Sequence, residues 1–235
     1  MLQETDAPAD GPIQKHVTAT YYTLRWGVAV MAVAFPLVLW LGGRLFADLP
    51  LQNSISHYYH APEGAPVGSM RDWFVGFLFS LAALMYLYKG FTRLENSLLN
   101  GASVLAVGVA IFPMAWPPGG AGGWLSLHGA CAIGAFLCLA LVAWLSPGRS
   151  LKLMPPSPKR RKYVAAYVAV GISMAVLPVV AWVLTNVLGS PSKLVFAMET
   201  LGLVAFTGYW VTKSLEMRDT QAELKALRGM LVPAR

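Results

Sequence analysis

The stretch YVAAYVAVGISMAVLPVVAWVLTNVL, residues 163–188, contains no charged side chain and decides the fold class. A helix needs about 20 apolar residues to cross the hydrocarbon core of a bilayer. Because similar runs recur along the chain, the sequence predicts an all-α, polytopic membrane helix bundle with six transmembrane helices. The predicted spans cover residues 26–46, 72–88, 102–116, 127–145, 163–188 and 194–211.

The composition agrees with a membrane protein. Of 235 residues, 56% are hydrophobic and 12% are charged, and the mean hydropathy is +0.55. Soluble domains carry about 25% charged residues. The net charge of +7 is concentrated in SPKRRK, residues 157–162. A nucleic-acid-binding protein would need a basic face on a soluble module, so we exclude nucleic acid as a partner and expect membrane lipids instead.

The distribution of positive charge predicts the orientation, because loops rich in Lys and Arg stay on the cytoplasmic side. If the N-terminus is cytoplasmic, all 18 Lys and Arg residues lie inside except Arg44, Arg71 and Lys193. We therefore predict cytoplasmic N- and C-termini in a bacterial inner membrane. The predicted domain limits are 1–25 for a cytoplasmic tail, 26–213 for the transmembrane domain and 214–235 for a second cytoplasmic tail.

Two loops and the last tail complete this prediction. Residues 47–71 form the outer loop, and residues 146–162 form the basic inner loop. In the tail, Leu224, Leu227 and Leu231 recur at helical spacing, which is typical of an amphipathic helix on the membrane surface. A frayed end is the alternative. On the cytoplasmic side, only solvated Lys and Arg are expected as polar groups.

The outer loop contains SISHYYH, residues 54–60. His57 and His60 are three residues apart, so on a helix both rings lie on one face, as a metal pair or a base with its orienting partner requires. The alternative is a pair of exposed loop histidines. Tyr58 and Tyr59 are candidates for substrate binding, and their alternative role is to anchor the loop at the interface.

Four more polar residues are predicted on the same side. Arg71 and Asp72 stand at the outer end of the second span, and Arg71 is a candidate for binding a phosphate or carboxylate. The sequence SMRD (69–72) also fits a capping box, which gives Asp72 a structural role. His128 stands at the outer end of the fourth span. Glu199 lies within the sixth span, where a charge costs about 2.5 kcal/mol or more at the bilayer centre.

Such a carboxylate needs a partner, and Arg71, His57, His60 and His128 are the candidates. Three histidines and two carboxylates can hold a divalent metal ion, with His57, His60 and His128 as ligands and zinc as the first choice. Asp72 or Glu199 would then act as a base or orient a ligand, and Ser56 is a further catalytic candidate. A metal-bound water would cleave an ester or amide of a lipid.

Three functions follow from these residues. The first is a non-catalytic membrane protein whose outer polar site interacts with lipids. The alternative is the metal-dependent transmembrane hydrolase, and the third is a transporter, which would need a polar path across the bilayer. The sequence leaves open whether the protein is an enzyme. A second copy of the chain or another membrane protein is a further expected partner.

One resemblance concerns Ser56, His60 and Asp72. Their order resembles the Ser-x-x-x-His and Asp pattern of the ceramidase and progestin-receptor-like superfamily of transmembrane hydrolases. This resemblance implies a zinc ion held by three histidines near a serine and an aspartate. The chain departs from that pattern, because the family has seven spans and a His-x-x-x-His pair in the last one, where this chain has Glu199.

A second resemblance covers more of the chain. The segments SISHYYHAP (54–62), MRDWFVGFLFSLAALMYLYKGF (70–91), LAVGVAIFP (105–113) and ETLGLVAFTGYWVTKS (199–214) resemble a family of bacterial six-span membrane proteins of unknown function. That family is similar in outline to the Frag1/DRAM/Sfk1-type proteins. The resemblance implies six helices and a polar outer loop, and it implies no catalytic role.

Overall fold

Helices make up all the regular structure in the residues that the computed structural model describes, which are 11–60, 69–114, 116, 126–145, 147–188 and 193–228. The α-helices are α1 (Pro12–Phe46), α2 (Met70–Leu87), α3 (Arg93–Ile111), α4 (Leu127–Leu145), α5 (Pro147–Ser150), α6 (Pro158–Asn186), α7 (Lys193–Thr220) and α8 (Ala222–Leu227). Two short 3₁₀ helices cover Ile55–His60 and Leu151–Leu153. Six helices, α1, α2, α3, α4, α6 and α7, are long and apolar enough to cross a membrane, which confirms the predicted fold class.

The ends of several helices differ from the predicted spans. Helix α3 begins at Arg93, well before the predicted residue 102, because the Thr92 hydroxyl accepts a hydrogen bond from the Glu95 N–H at 3.0 Å and caps the helix there. Helix α7 continues to Thr220 and therefore includes the first part of the predicted tail. Gln221 then adopts a left-handed backbone conformation (φ 50°) before α8. The predicted tail residue Leu231 lies outside the described residues.

The six long helices form a closed ring in chain order. Helix α1 packs against α2 and α7, and the chain continues around the ring through α3, α4 and α6. Small residues allow close approach, as is usual in membrane bundles. A Cβ atom added at Gly171 of α6 would lie 2.2 Å from Nε1 of Trp144 on α4.

The outer surface of the ring is apolar. Each long helix exposes large hydrophobic side chains, for example Val30, Phe79, Val104, Leu141, Ile172 and Val204. A water-soluble protein rarely exposes apolar surface on every side of a bundle. This surface is suited to contact with lipid chains, and the polar residues gather at the two ends of the ring.

Candidate functional site

The 3₁₀ helix Ile55–His60, called here the outer 3₁₀ helix after the side on which the sequence predicts it, is packed onto the end of α1. The chain turns back after α1, where the Leu49 N–H donates to the Gly43 carbonyl at 2.9 Å. The ring of Tyr58 then packs against the same glycine, since a Cβ at Gly43 would lie 2.7 Å from Tyr58 Cε1. Tyr58 is fully buried, and this burial raises its pKa. The structure thus gives Tyr58 an anchoring position and leaves no exposed ring for a substrate.

Glu199 joins this loop to α7. Its carboxylate accepts hydrogen bonds from the Ser54 hydroxyl (2.8 Å to Oε1) and from the Ile55 N–H (2.6 Å to Oε2). Nearby, the Phe196 N–H donates to the Asn53 carbonyl at 2.8 Å. The carboxylate therefore has partners, as expected for an acid inside a span. These partners are a hydroxyl and a backbone N–H, and they differ from the histidines and Arg71 that the sequence suggested.

His128 joins the outer 3₁₀ helix to α4. Its Nε2 lies 2.9 Å from the Ser56 hydroxyl, and its Nδ1 lies 2.9 Å from the Phe112 carbonyl oxygen at the end of α3. His128 is only 7% exposed, whereas Ser56 is half-buried. Both ring nitrogens are thus engaged by protein groups from two different segments.

His57 and His60 both contact the ring of Trp116. The His60 ring stacks on the indole at a centroid distance of 5.1 Å, and the His57 ring meets it edge-on at 5.5 Å. His60 Nε2 also lies 2.9 Å from the Met114 carbonyl oxygen. Burial, and to a smaller extent the charge of His60, lowers the pKa of His57. These contacts favour a neutral, packed His57.

The side chains of His57, His60 and His128 do not form a ligand set in the structure. Within the described part of the chain, no three His, Cys, Asp or Glu side chains are grouped so that they could hold a metal ion. His57, His60 and His128 instead contact Trp116, the Met114 carbonyl and Ser56, respectively. The zinc site remains a prediction from the sequence.

Arg71 and Asp72 stand at the exposed start of α2. The Asp72 N–H donates to the Ser69 hydroxyl, and the Asp72 carboxylate accepts from the Ser69 N–H, both at 3.3 Å. This geometry confirms the predicted capping box. The guanidinium of Arg71 lies 4.9 Å from the centroid of the Tyr59 ring. Tyr59 is half-buried, and its ring meets Phe74 edge-on at 6.0 Å.

A second polar group, called here the ionic cluster, occupies the opposite end of the bundle. It consists of Arg25, Glu95, Lys213, Glu216 and Glu223. The Lys213 ammonium lies 3.6 Å from Glu95 and 3.9 Å from Glu216, and Arg25 pairs with Glu223. Arg25, Glu95, Lys213 and Glu216 are at most 1% exposed. The prediction that this side has only solvated Lys and Arg is therefore wrong.

The sequence reasoning missed this cluster because its members lie at the ends of spans, where charges are usually solvated. A sequence signal did exist, since Lys213 and Glu216 are three residues apart and continue the helical pattern of α7. Ser54 and the Phe112 carbonyl were also missed. Nothing in the sequence distinguishes these two groups from other serines and carbonyls.

Comparison with protein-family models, curated proteins and solved structures gives no match for this chain. The fold and the apolar surface of the ring show which class of protein this is. It is an integral, multi-pass membrane protein with six candidate membrane-spanning helices arranged in a ring.

Proposed function

We propose that this chain is a lipid-interacting protein of a bacterial inner membrane, with both termini cytoplasmic and a site for lipid headgroups on its outer face. The orientation is supported by the positive charges, which are concentrated in the segments assigned to the cytoplasm. The observation that carries the headgroup site is the position of Arg71. Its exposed guanidinium is held over the Tyr59 ring at the outer end of α2.

This position suits an anionic headgroup. A guanidinium binds phosphate oxygens through two parallel hydrogen bonds, and its stacking on an aromatic ring fixes its plane in advance. The Tyr59 ring is itself fixed between His60 and Phe74. Arg71 follows directly after the start of a membrane-spanning helix, and therefore lies at the depth where lipid phosphates are found.

A metal-dependent hydrolase would require existing hydrogen bonds of His128 to rearrange. For His128 to bind zinc, one of its ring nitrogens would have to leave the Phe112 carbonyl or the Ser56 hydroxyl. The headgroup site requires no such rearrangement, since the Arg71 side chain is already exposed. For this reason we place lipid binding first.

The proposal is tested by titrating the detergent-solubilised protein with phosphatidylglycerol and, separately, with phosphatidylcholine. We expect Arg71→Gln to weaken the binding of phosphatidylglycerol about tenfold, which corresponds to about 1.4 kcal/mol. Lys193→Gln is the matched control, because it removes an exposed cation from the same side at the start of α7. Equal affinities of the two variants for phosphatidylglycerol would rule out a specific site at Arg71.

A further inference from the structure

The hydrogen bonds of Ser56 and His128 have the arrangement of a nucleophile and its base. The hydroxyl lies 2.9 Å from His128 Nε2, within the usual distance of about 2.6–3.2 Å between a catalytic nucleophile and its base. A third group, the Phe112 carbonyl, lies 2.9 Å from the other ring nitrogen. We propose that Ser56 and His128 catalyse acyl transfer from a lipid ester to water at the outer membrane face.

The Phe112 carbonyl determines which nitrogen of neutral His128 carries the hydrogen. A carbonyl oxygen can only accept a hydrogen bond, so Nδ1 carries the hydrogen and donates it to Phe112. The lone pair of Nε2 then points at the Ser56 hydroxyl, which donates to it. This is the form in which an imidazole can take the proton of an attacking serine.

Further contacts hold Ser56 in place. The Ser56 N–H donates to the Ser54 hydroxyl at 3.1 Å, and Ser54 is in turn bonded to Glu199. We assign Ser54 and Glu199 as positioning residues, because they act on the backbone of Ser56. The histidine is buried while the serine is half-buried, so the nucleophile is the more accessible member of the pair.

The location of the pair indicates the class of substrate. His128 lies in the first turn of α4, a candidate membrane-spanning helix, and Ser56 lies in the outer 3₁₀ helix that contacts it, so an ester near the lipid headgroups is the bond within reach. The Ser56 Oγ attacks the carbonyl carbon of this ester and gives its proton to His128 Nε2. The carbon–oxygen bond to the alcohol breaks, and the departing alcohol takes that proton. Water then attacks the acyl-serine, and fatty acid and free Ser56 are formed.

This activity rests on the proposed outer lipid site, but it can be tested separately from it. A fluorophosphonate–biotin probe reacts covalently with activated serines and does not require lipid binding. We expect the purified wild-type protein to carry the adduct on Ser56, as mapped by peptide mass spectrometry. The adduct should be absent in Ser56→Ala. In His128→Gln it should form at least about 100-fold more slowly, because a general base usually contributes a factor of this size.

Ser126→Ala is the matched control. Ser126 is two residues from His128, and its hydroxyl accepts from the Gly129 N–H at 3.1 Å, so this variant perturbs the start of α4 but keeps the pair. It should be labelled at the wild-type rate. A wild-type protein with no adduct on Ser56, under conditions that saturate a known serine hydrolase, would overturn the proposal even if the variants fail to fold. Labelling of His128→Gln at the wild-type rate would also overturn it.

A second readout addresses the substrate. The wild-type protein, reconstituted in phosphatidylglycerol vesicles, should release fatty acid, and Ser56→Ala should not. Labelling of Ser56 without fatty-acid release would reject the lipid ester as substrate.

Arg71→Gln distinguishes the two proposals. If Arg71→Gln still forms the Ser56 adduct and binds lipid with full affinity, only the headgroup site is overturned. If the wild-type protein is not labelled at Ser56 but Arg71→Gln weakens lipid binding, only the catalytic proposal is overturned.

Discussion

Glu199 shows how single residues close one end of this bundle. Its carboxylate binds Ser54 and Ile55, and two further side-chain contacts, Ser56 to His128 and His60 to the Met114 carbonyl, attach the same short helix elsewhere. The outer 3₁₀ helix is thereby joined to α7, to α4 and to the segment after α3. Most residues of SISHYYH, which look like a loop in the sequence, therefore form a short helix that is bonded to three other segments.

The first prediction concerns this attachment. Glu199→Ala leaves the Ile55 N–H without its acceptor, so we expect a loss of about 1–3 kcal/mol in the free energy of unfolding. Glu199→Gln should lose less, because the amide oxygen can still accept from Ile55. Thermal unfolding of the two variants in detergent measures the difference. A Glu199→Ala protein as stable as the wild type would show that the bonds contribute nothing to stability.

At this scale the sequence predicts that Glu199 needs a partner, but it does not predict which groups provide it. The cost of an ionised group in a span required a partner for Glu199, and that reasoning holds. The predicted partners of Glu199 are charged side chains and histidines, whereas in the structure its carboxylate accepts from the Ser54 hydroxyl and the Ile55 N–H. Such donors occur throughout the chain, so only the path of the loop determines which of them reaches the carboxylate.

Among the elements, the apolar runs predict the existence of all six long helices, and side-chain caps mark where α2, α3 and α6 begin. Thr92 and Glu95 form a start signal for α3, and Ser157 followed by Pro158 forms one for α6, where the Ser157 hydroxyl accepts from the Arg160 N–H. The predicted spans began later because hydropathy was given more weight than the caps. Hydropathy reports the part of a helix that meets lipid, and it does not report the turns that extend beyond it.

The second prediction concerns the packing of α4 against α6. Gly171→Ala places a methyl group 2.2 Å from the present position of Trp144 Nε1, so the indole must move or the helices must separate. We expect a destabilisation of about 1–3 kcal/mol. Gly76→Ala on α2 is the matched control, since its Cβ meets no atom within 4 Å. That variant gains the helix propensity of alanine and should be at least as stable as the wild type. Equal unfolding temperatures for the two variants would contradict this account.

In the whole molecule, the ring is closed by polar contacts at both ends of α7. Glu199 lies near one end, and Lys213 and Glu216 lie near the other. The ionic cluster connects α7 to α3 through Glu95 and to α6 through the Tyr167 hydroxyl, which donates to Glu216. The sequence predicts the ring only as a set of six spans. Its closure depends on contacts between residues that are distant in the chain, and one sequence does not reveal these contacts.

The third prediction addresses the ionic cluster. Lys213→Met leaves the buried carboxylates of Glu95 and Glu216 without their cation, so we expect a loss of about 3–5 kcal/mol in stability. Adding Glu95→Gln should recover part of this loss, because the double variant no longer buries the unpaired Glu95 charge. Lys152→Met removes an exposed lysine and is the control. A Lys213→Met protein with the unfolding temperature of Lys152→Met would show that the buried pairs are not stabilising.

The pairing of Glu95 with Lys213 also has a consequence for biosynthesis. Glu95 leaves the ribosome in the first half of the chain, while its cation is made only near the end of the last long helix. While residues 96–212 are being synthesised, α3 therefore carries a carboxylate whose counter-charge does not yet exist. The ring can close only after α7 has been inserted, so a nascent chain interrupted before residue 213 is an open assembly in which Glu95 has not met Lys213.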